Sequence, residues 1–156
     1  MNDTPETAQV LIRPPLAWAL AVLAGLVLDW LAPLPFLPED WPAGLLGAVV
    51  FVLALALAIW AIDTMTRAGT NVPTNRPTTA IVESGPYRFT RNPIYLGMFG
   101  GLIGLGIAFD NPWLLLLMAL FALVIRYGVV AREEAYLERM FGDAYRGYRR
   151  RVRRWL

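Results

Sequence analysis

Apolar residues fill four stretches of the chain almost without interruption: 16–34, 43–62, 93–109 and 112–130. Each approaches the roughly 20 residues that an α-helix needs to cross a hydrocarbon layer. The pattern therefore predicts an all-α fold, an integral membrane bundle of four transmembrane helices. Polar positions collect between the second and third stretches, in residues 63–92, and after the fourth, in residues 131–156. There is no internal repeat and no low-complexity linker, so residues 1–156 are read as one domain.

Prolines and glycines mark the boundaries. Asn92-Pro93 and Asn111-Pro112 each read as an N-cap followed by a first helical residue, where proline's missing N–H does no harm. Asp110-Asn111 then makes a tight turn between the third and fourth spans. The third span is short and rich in glycine (Gly97, Gly100, Gly101, Gly104, Gly106), which suits close helix packing, because small residues let backbones approach. From Pro112 to about Met140 no proline intervenes and only Gly128 weakens the pattern. One helix of about 43 Å at 1.5 Å per residue is expected there, leaving the bilayer with Glu133 and Glu134 just outside it.

Composition strengthens the membrane reading. At 57% hydrophobic and 17% charged residues, with a mean hydropathy of +0.49, the chain has more apolar side chains than one soluble core of this size can hide. Charge then sets the orientation. All fourteen basic residues are Arg, and nearly all precede the first span, separate spans two and three, or follow span four. The other two connections carry only Glu39, Asp40 and Asp110, so the positive-inside rule puts both termini and the long middle loop in the cytoplasm. The N-terminal segment is acidic and the first span is too long for a signal-peptide core, so a retained helix is expected. With no Cys and no His, disulfides, thiolate metal sites and the commonest metal ligand are lacking, and no metal is expected.

Chemistry concentrates in the loop that enters the third span. Residues 70–79 are polar and proline-punctuated, hence extended or turned, and Ala80-Ile81-Val82 is a short apolar stretch able to lie across a pocket. Gly85-Pro86-Tyr87-Arg88-Phe89-Thr90-Arg91-Asn92-Pro93-Ile94-Tyr95-Leu96-Gly97 follows. A helix start with free N–H groups, beside Arg88 and Arg91, suits a carboxylate or phosphate. Glu133 and Glu134 suit an ammonium, a sulfonium or ribose hydroxyls, and Tyr87 and Tyr95 add aromatic faces. A ligand with all these parts is S-adenosylmethionine, bound at the cytoplasmic mouth of the bundle. Arg126, seven and eight residues before the two glutamates, falls near their helical face. It either faces the cavity, where it would hold an acceptor's anionic group, or snorkels to the headgroups.

Taken together, Gly85-Pro86-Tyr87, Arg91-Asn92-Pro93-Ile94-Tyr95-Leu96-Gly97, Asn111-Pro112, Glu133-Glu134 and Phe141-Gly142-Asp143-Ala144-Tyr145 with Tyr148 resemble the isoprenylcysteine carboxyl methyltransferase and phospholipid methyltransferase superfamily. The resemblance runs from about Thr70 to Arg153. It implies an integral-membrane enzyme, in a bacterial inner membrane, that transfers a methyl group from S-adenosylmethionine to a lipid-like or small amphiphilic acceptor bearing a carboxylate or an amine. It further implies a cofactor site of Ile81, Val82, Gly85, Tyr87, Arg91, Asn92, Pro93, Tyr95, Gly97, Glu133 and Glu134. In that site Ile81 and Val82 would lie along the adenine and Tyr95 near the methionine moiety, with Tyr145 and Tyr148 in a lid. Glu133, Glu134 and Arg126 are the catalytic candidates. The family pattern usually reads Arg-His-Pro-x-Tyr, and here Asn92 takes the His position. An Asn can replace a hydrogen-bonding His in part but cannot exchange a proton.

Two functional classes follow: a membrane methyltransferase, or a catalytically silent membrane scaffold or small-molecule-binding protein that keeps the fold. The basic end, Arg149-Arg150-Arg151-Val152-Arg153-Arg154-Trp155, reads as a basic C-terminal helix anchored on anionic headgroups. Nucleic acid is not an expected partner for an integral protein with a net charge of +2. The residues do not rank the acceptors or specify an oligomeric state.

Overall fold

The computed structural model describes residues 7–72 and 76–156; Pro73, Thr74 and Asn75 of the polar loop, and residues 1–6 of the acidic N-terminal segment, lie outside the described residues. The described residues form an all-helical fold. Among them, six α-helices run in order as α1 (Pro14–Leu31), α2 (Ala43–Arg67), α3 (Pro93–Ala108), α4 (Pro112–Leu123), α5 (Ala131–Phe141) and α6 (Asp143–Arg151). A 3₁₀ turn, Gly85–Arg88, precedes α3, and a π-helical segment, Val124–Val130, joins α4 to α5 without a break. The long final helix expected from Pro112 is thus present, with one wide turn inside it.

Among the described residues three helices are long and apolar enough to cross a membrane: Pro14–Leu31, Ala43–Arg67 and Pro112–Phe141. The fourth expected span, Pro93–Ala108, is apolar but has only 16 residues, about 24 Å of helix. Most side chains of α1 and α2 point outward, among them Leu20, Leu23, Val52, Leu53 and Ile59. A surface of that kind belongs in lipid. Observed helix ends shift modestly from the expected ones. Helix α1 stops at Leu31 rather than Leu34, ahead of a proline-rich turn, and α2 continues to Arg67, where Asp63 and Arg67 pair one turn apart at 2.7 Å.

Small residues bring α2 and α3 into backbone contact. A Cβ added to Gly97 would lie 2.7 Å from the Ala54 carbonyl oxygen, and one added to Gly104 would lie 2.7 Å from the Phe51 nitrogen. No side chain larger than hydrogen fits there. The other pairs are joined by buried polar contacts: Trp18 Nε1 donates to the Met98 carbonyl at 2.9 Å, and Asn111 Nδ2 donates to the Gly25 carbonyl at 3.1 Å. Asn111 also accepts from the Leu114 N–H at 3.1 Å, so it caps α4 as its sequence position suggested. At the same end, Asp110 Oδ1 accepts from the Phe36 and Leu37 N–H groups, closing the bundle. Fully buried Leu102, Leu114, Ile125 and Val129 form the core between α3 and the final helix.

The helix packing makes a direct prediction. Gly104→Ala should cost about 1–3 kcal/mol, since the methyl group meets backbone that cannot turn aside. Gly44→Ala, with nothing within 4 Å of the new carbon, should be neutral or slightly stabilising. Thermal unfolding in detergent compares the two, and equal midpoints would mean that α2 and α3 are not held this closely.

Candidate functional site

At the end of the bundle opposite Asp110, the start of α3 meets the start of α5 across a cleft. Its enclosed volume is about 140 Å³, and it is open on one side. Of the residues expected from sequence, Ile81, Val82, Tyr87, Arg91, Asn92, Pro93, Tyr95, Glu133 and Glu134 all line it. The loop after α2 supplies one wall, α3 the floor, and α5 and α6 the opposite wall.

Proline at N1 of α3 fixes where that helix begins and leaves Arg91 two residues before it, at the cleft edge. The Arg91 side chain is 7% exposed, and Nη2 donates to Glu134 Oε1 at 2.9 Å. Glu134 is gripped from its other side: Arg154 Nε donates to Oε1 at 2.8 Å and Arg154 Nη2 to Oε2 at 2.6 Å. Burial by itself would raise the Glu134 carboxyl. The Arg154 hydrogen bond and the charges of Arg91, Arg154 and Arg149 outweigh it, and the carboxyl sits below its ordinary value. Arg91 Nε and Nη1 are buried and find no hydrogen-bond partner among the described residues. Two charged donors without an acceptor are costly to bury, and Arg91 is a residue of the cleft wall.

Glu133 behaves differently, although it is the next residue. It lies three residues past the apolar stretch that ends at Val130, and its half-buried carboxylate accepts from the Tyr95 hydroxyl at 2.8 Å. Desolvation pushes its carboxyl up to about 7; the Tyr95 hydrogen bond opposes the rise and the nearby Glu134 charge adds to it. One glutamate is therefore a fixed anion, and its neighbour changes charge near neutral pH.

Several residues that carried less weight in the sequence complete the walls. Tyr145 and Tyr148 line the cleft, and the Tyr148 hydroxyl donates to the Tyr87 carbonyl at 2.8 Å, tying α6 to the 3₁₀ turn. Tyr136 is buried at the cleft and accepts from the Thr78 N–H at 3.1 Å. Met65, Asn71 and Leu137 also line it. A helical-face argument on α5 would have pointed to Leu137 from Glu133 and Glu134; Asn71 gave no signal beyond its place in a polar loop.

Four expected residues lie elsewhere. Gly85 does not line the cleft; its φ of +56° and the nearness of Thr64 make it a turn residue packed on α2. Gly97 faces α2, as described above. Arg126 is outside the cleft with its guanidinium 5.2 Å from the Tyr127 ring centroid, because the i→i+5 bonds of the π-helical turn rotate it away from the face of Glu133 and Glu134. Arg88 stacks on Phe89 at 5.6 Å. Asn92 occupies the N-cap position without capping: its Nδ2 donates to the Arg154 carbonyl at 2.9 Å. In the basic end, Arg149, Arg151 and Arg154 pair within the protein, with Glu138, Glu83 and Glu134.

The cleft thus offers buried cationic donors, one carboxylate near Tyr95, an apolar strip at Ile81, Val82 and Leu137, and several aromatic hydroxyls. That set fits a ligand with an anionic group, a cationic or hydroxyl-bearing part and a flat apolar part. Among known proteins, residues 43–144 match the phospholipid methyltransferase family. An uncharacterized protein of Haemophilus influenzae is 43% identical over 63 residues, which are 40% of this chain and 100% of that protein. The protein-S-isoprenylcysteine O-methyltransferase of Schizosaccharomyces pombe is 35% identical over 72 residues, 46% of this chain and 30% of the relative. The nickel-cobalt-cadmium resistance protein NccN of Alcaligenes xylosoxydans xylosoxydans is 37% identical over 62 residues, 40% of this chain and 29% of the relative. The match thus covers less than a third of either of the last two. No solved structure matches the chain.

Two consequences concern stability. The Glu134 carboxyl titrates below its ordinary 4.5, so the stability it contributes is complete above that pH and is lost as pH falls through its lower folded value. The gap in thermal midpoint between wild type and Glu134→Gln should therefore be constant above about pH 5 and narrow as the pH falls below it. Tyr148→Phe should cost about 1 kcal/mol at neutral pH, the worth of one buried hydrogen bond, read by unfolding in detergent.

Proposed function

Because the chain belongs to the phospholipid methyltransferase family, as the match over residues 43–144 establishes, we propose that it is an S-adenosylmethionine-dependent methyltransferase acting on a lipid-like or small amphiphilic acceptor. The observation that carries this reading is the convergence on one cleft of Arg91, two of whose buried donors lack a partner among the described residues, with Glu133, Glu134 and Tyr95. In this reading Arg91 takes the methionine carboxylate or another anionic group of the cofactor. Glu133, with Tyr95 beside it, takes the cationic part or the ribose hydroxyls, and Ile81, Val82 and Leu137 flank the adenine. Topology follows the charge pattern: four crossings, with α3 the short one, and both termini and the cleft on the cytoplasmic side of a bacterial inner membrane.

The cofactor, when bound, supplies a methyl group on a positively charged sulfur. The work left to the protein is alignment of the acceptor's lone pair with that carbon and exclusion of water. Tyr87, Tyr145 and Tyr148, buried along the cleft, keep water out, and their hydroxyls remain protonated: burial raises all three, Tyr145 up to about 12. Asn92 is turned to the tail and moves no proton. A carboxylate acceptor needs none moved, whereas an ammonium must first lose a proton, for which Glu133 has a suitable affinity. Arg126, outside the cleft, holds no part of the cofactor in this reading.

Calorimetric titration of the detergent-solubilised protein with S-adenosylhomocysteine and S-adenosylmethionine tests the assignment. Both should bind, and Arg91→Ala should weaken binding by at least tenfold, about 1.4 kcal/mol. Wild-type affinity for S-adenosylmethionine should fall by up to about tenfold per pH unit below 7, because its positive charges favour ionised Glu133, and Glu133→Gln should abolish that slope. A catalytically silent protein that kept the pocket would bind and transfer nothing to extracted lipids; one that lost the site would bind neither compound.

A further inference from the structure

The last residues of the chain are built into the site without lining it. After α6 the backbone becomes extended at Val152, and the tail runs beside the loop that enters α3. The Arg91 N–H donates to the Arg153 carbonyl at 3.0 Å, while Thr90 Oγ1 and Asn92 Nδ2 both donate to the Arg154 carbonyl, at 3.1 and 2.9 Å. Trp155 packs 5.4 Å from Phe99, which in turn meets Phe121 edge-on at 5.6 Å. The tail is thereby fixed on both sides of Arg154.

That fixation matters for the side chain. A fork of two charged hydrogen bonds, like the one from Arg154 to both Glu134 oxygens, sets the plane of the carboxylate as well as its place. Glu134 Oε1 also accepts from Arg91, so the orientation of Arg91 depends on the orientation of Glu134. Arg91 and Glu134 alone sum to zero, and with Arg154 the cluster keeps one net positive charge at the cleft wall. Arg150 and Arg153, with exposed side chains, share the tail's composition but not this contact.

From this geometry we infer that Arg154 is a positioning residue for the cofactor: it holds Glu134, and through it Arg91, so that the Arg91 guanidinium and its charge stay at the cleft wall for an anionic group of the ligand. The same geometry gives Asn92 a role, since its amide anchors the Arg154 carbonyl where the family pattern has a histidine. The inference rests on the proposed cofactor site.

The test compares Arg154→Ala, Arg154→Lys and Arg153→Ala in the full-length protein, with S-adenosylhomocysteine titrated calorimetrically. Arg154→Ala should bind at least tenfold more weakly, Arg153→Ala within twofold of wild type, and Arg154→Lys in between. Millimolar methylguanidinium should restore part of the affinity of Arg154→Ala and none of that lost in Arg91→Ala. Equal effects of Arg153→Ala and Arg154→Ala would overturn the inference, because they would report only a loss of basic charge from the tail. An unchanged Arg154→Ala would also overturn it. If Arg154→Ala does not fold, Arg154→Lys and Arg154→Gln carry the comparison by the same criteria. If the wild type binds neither cofactor form, the cofactor reading fails and the positioning role is judged by hydrogen exchange of residues 88–95 in the free protein. Faster exchange in Arg154→Ala than in Arg153→Ala supports it, and equal exchange overturns it.

Discussion

A guanidinium buried at the end of a membrane bundle must find an anion, and in this protein nearly every feature of the site follows from how Arg91 does so. Its partner, Glu134, lies 43 residues away, so the ion pair ties the loop that begins α3 to the helix that continues α4. Such a pair adds little net stability over an apolar substitute, but removing one partner strands the other. The pair therefore works as a register: if the two helix starts slip relative to each other, a buried charge is left alone. Arg154 doubles the constraint by bringing the C-terminal tail to the same carboxylate.

The bundle beneath serves that register. Backbone contact between α2 and α3 opposes rotation of α3, Trp18 fixes it to α1, and the Asn111 side chain ties the start of α4 to α1. With α3 held, Tyr95 points to Glu133 while Arg91 points to Glu134. Adjacent glutamates are thus given opposite characters by their surroundings. One is ionised between two arginines; the other, half-buried beside a tyrosine, titrates near neutrality. A ligand that is anionic at one end and cationic at the other meets its complement at each.

Much of this was legible in the residues. Apolar runs located the helices to within a few positions, because lipid-facing segments carry a strong one-dimensional signal. Asn92-Pro93 and Asn111-Pro112 marked true helix starts, and nine of the residues proposed for the pocket line it. What the sequence concealed is three-dimensional phase. A regular 3.6-residue repeat carried Arg126 onto the face of the glutamates, and a π-helical turn, which no composition rule announces, carries it off. The run of arginines at the end suggested a headgroup anchor because charge clusters near membranes commonly are. Only folding the chain back shows that Arg154 reaches Glu134, and that Asn92, which looked like a cap, holds the Arg154 carbonyl.

The proposed function requires two distant segments to converge around one adenosyl ligand. Ultraviolet cross-linking of radiolabelled S-adenosylmethionine to the detergent-solubilised protein, followed by peptide mapping, tests that convergence directly. Label is expected on peptides covering residues 78–95 and 133–148, and excess unlabelled S-adenosylhomocysteine should abolish both. Label confined to the α1–α2 surface, or labelling that the competitor leaves untouched, would contradict the account.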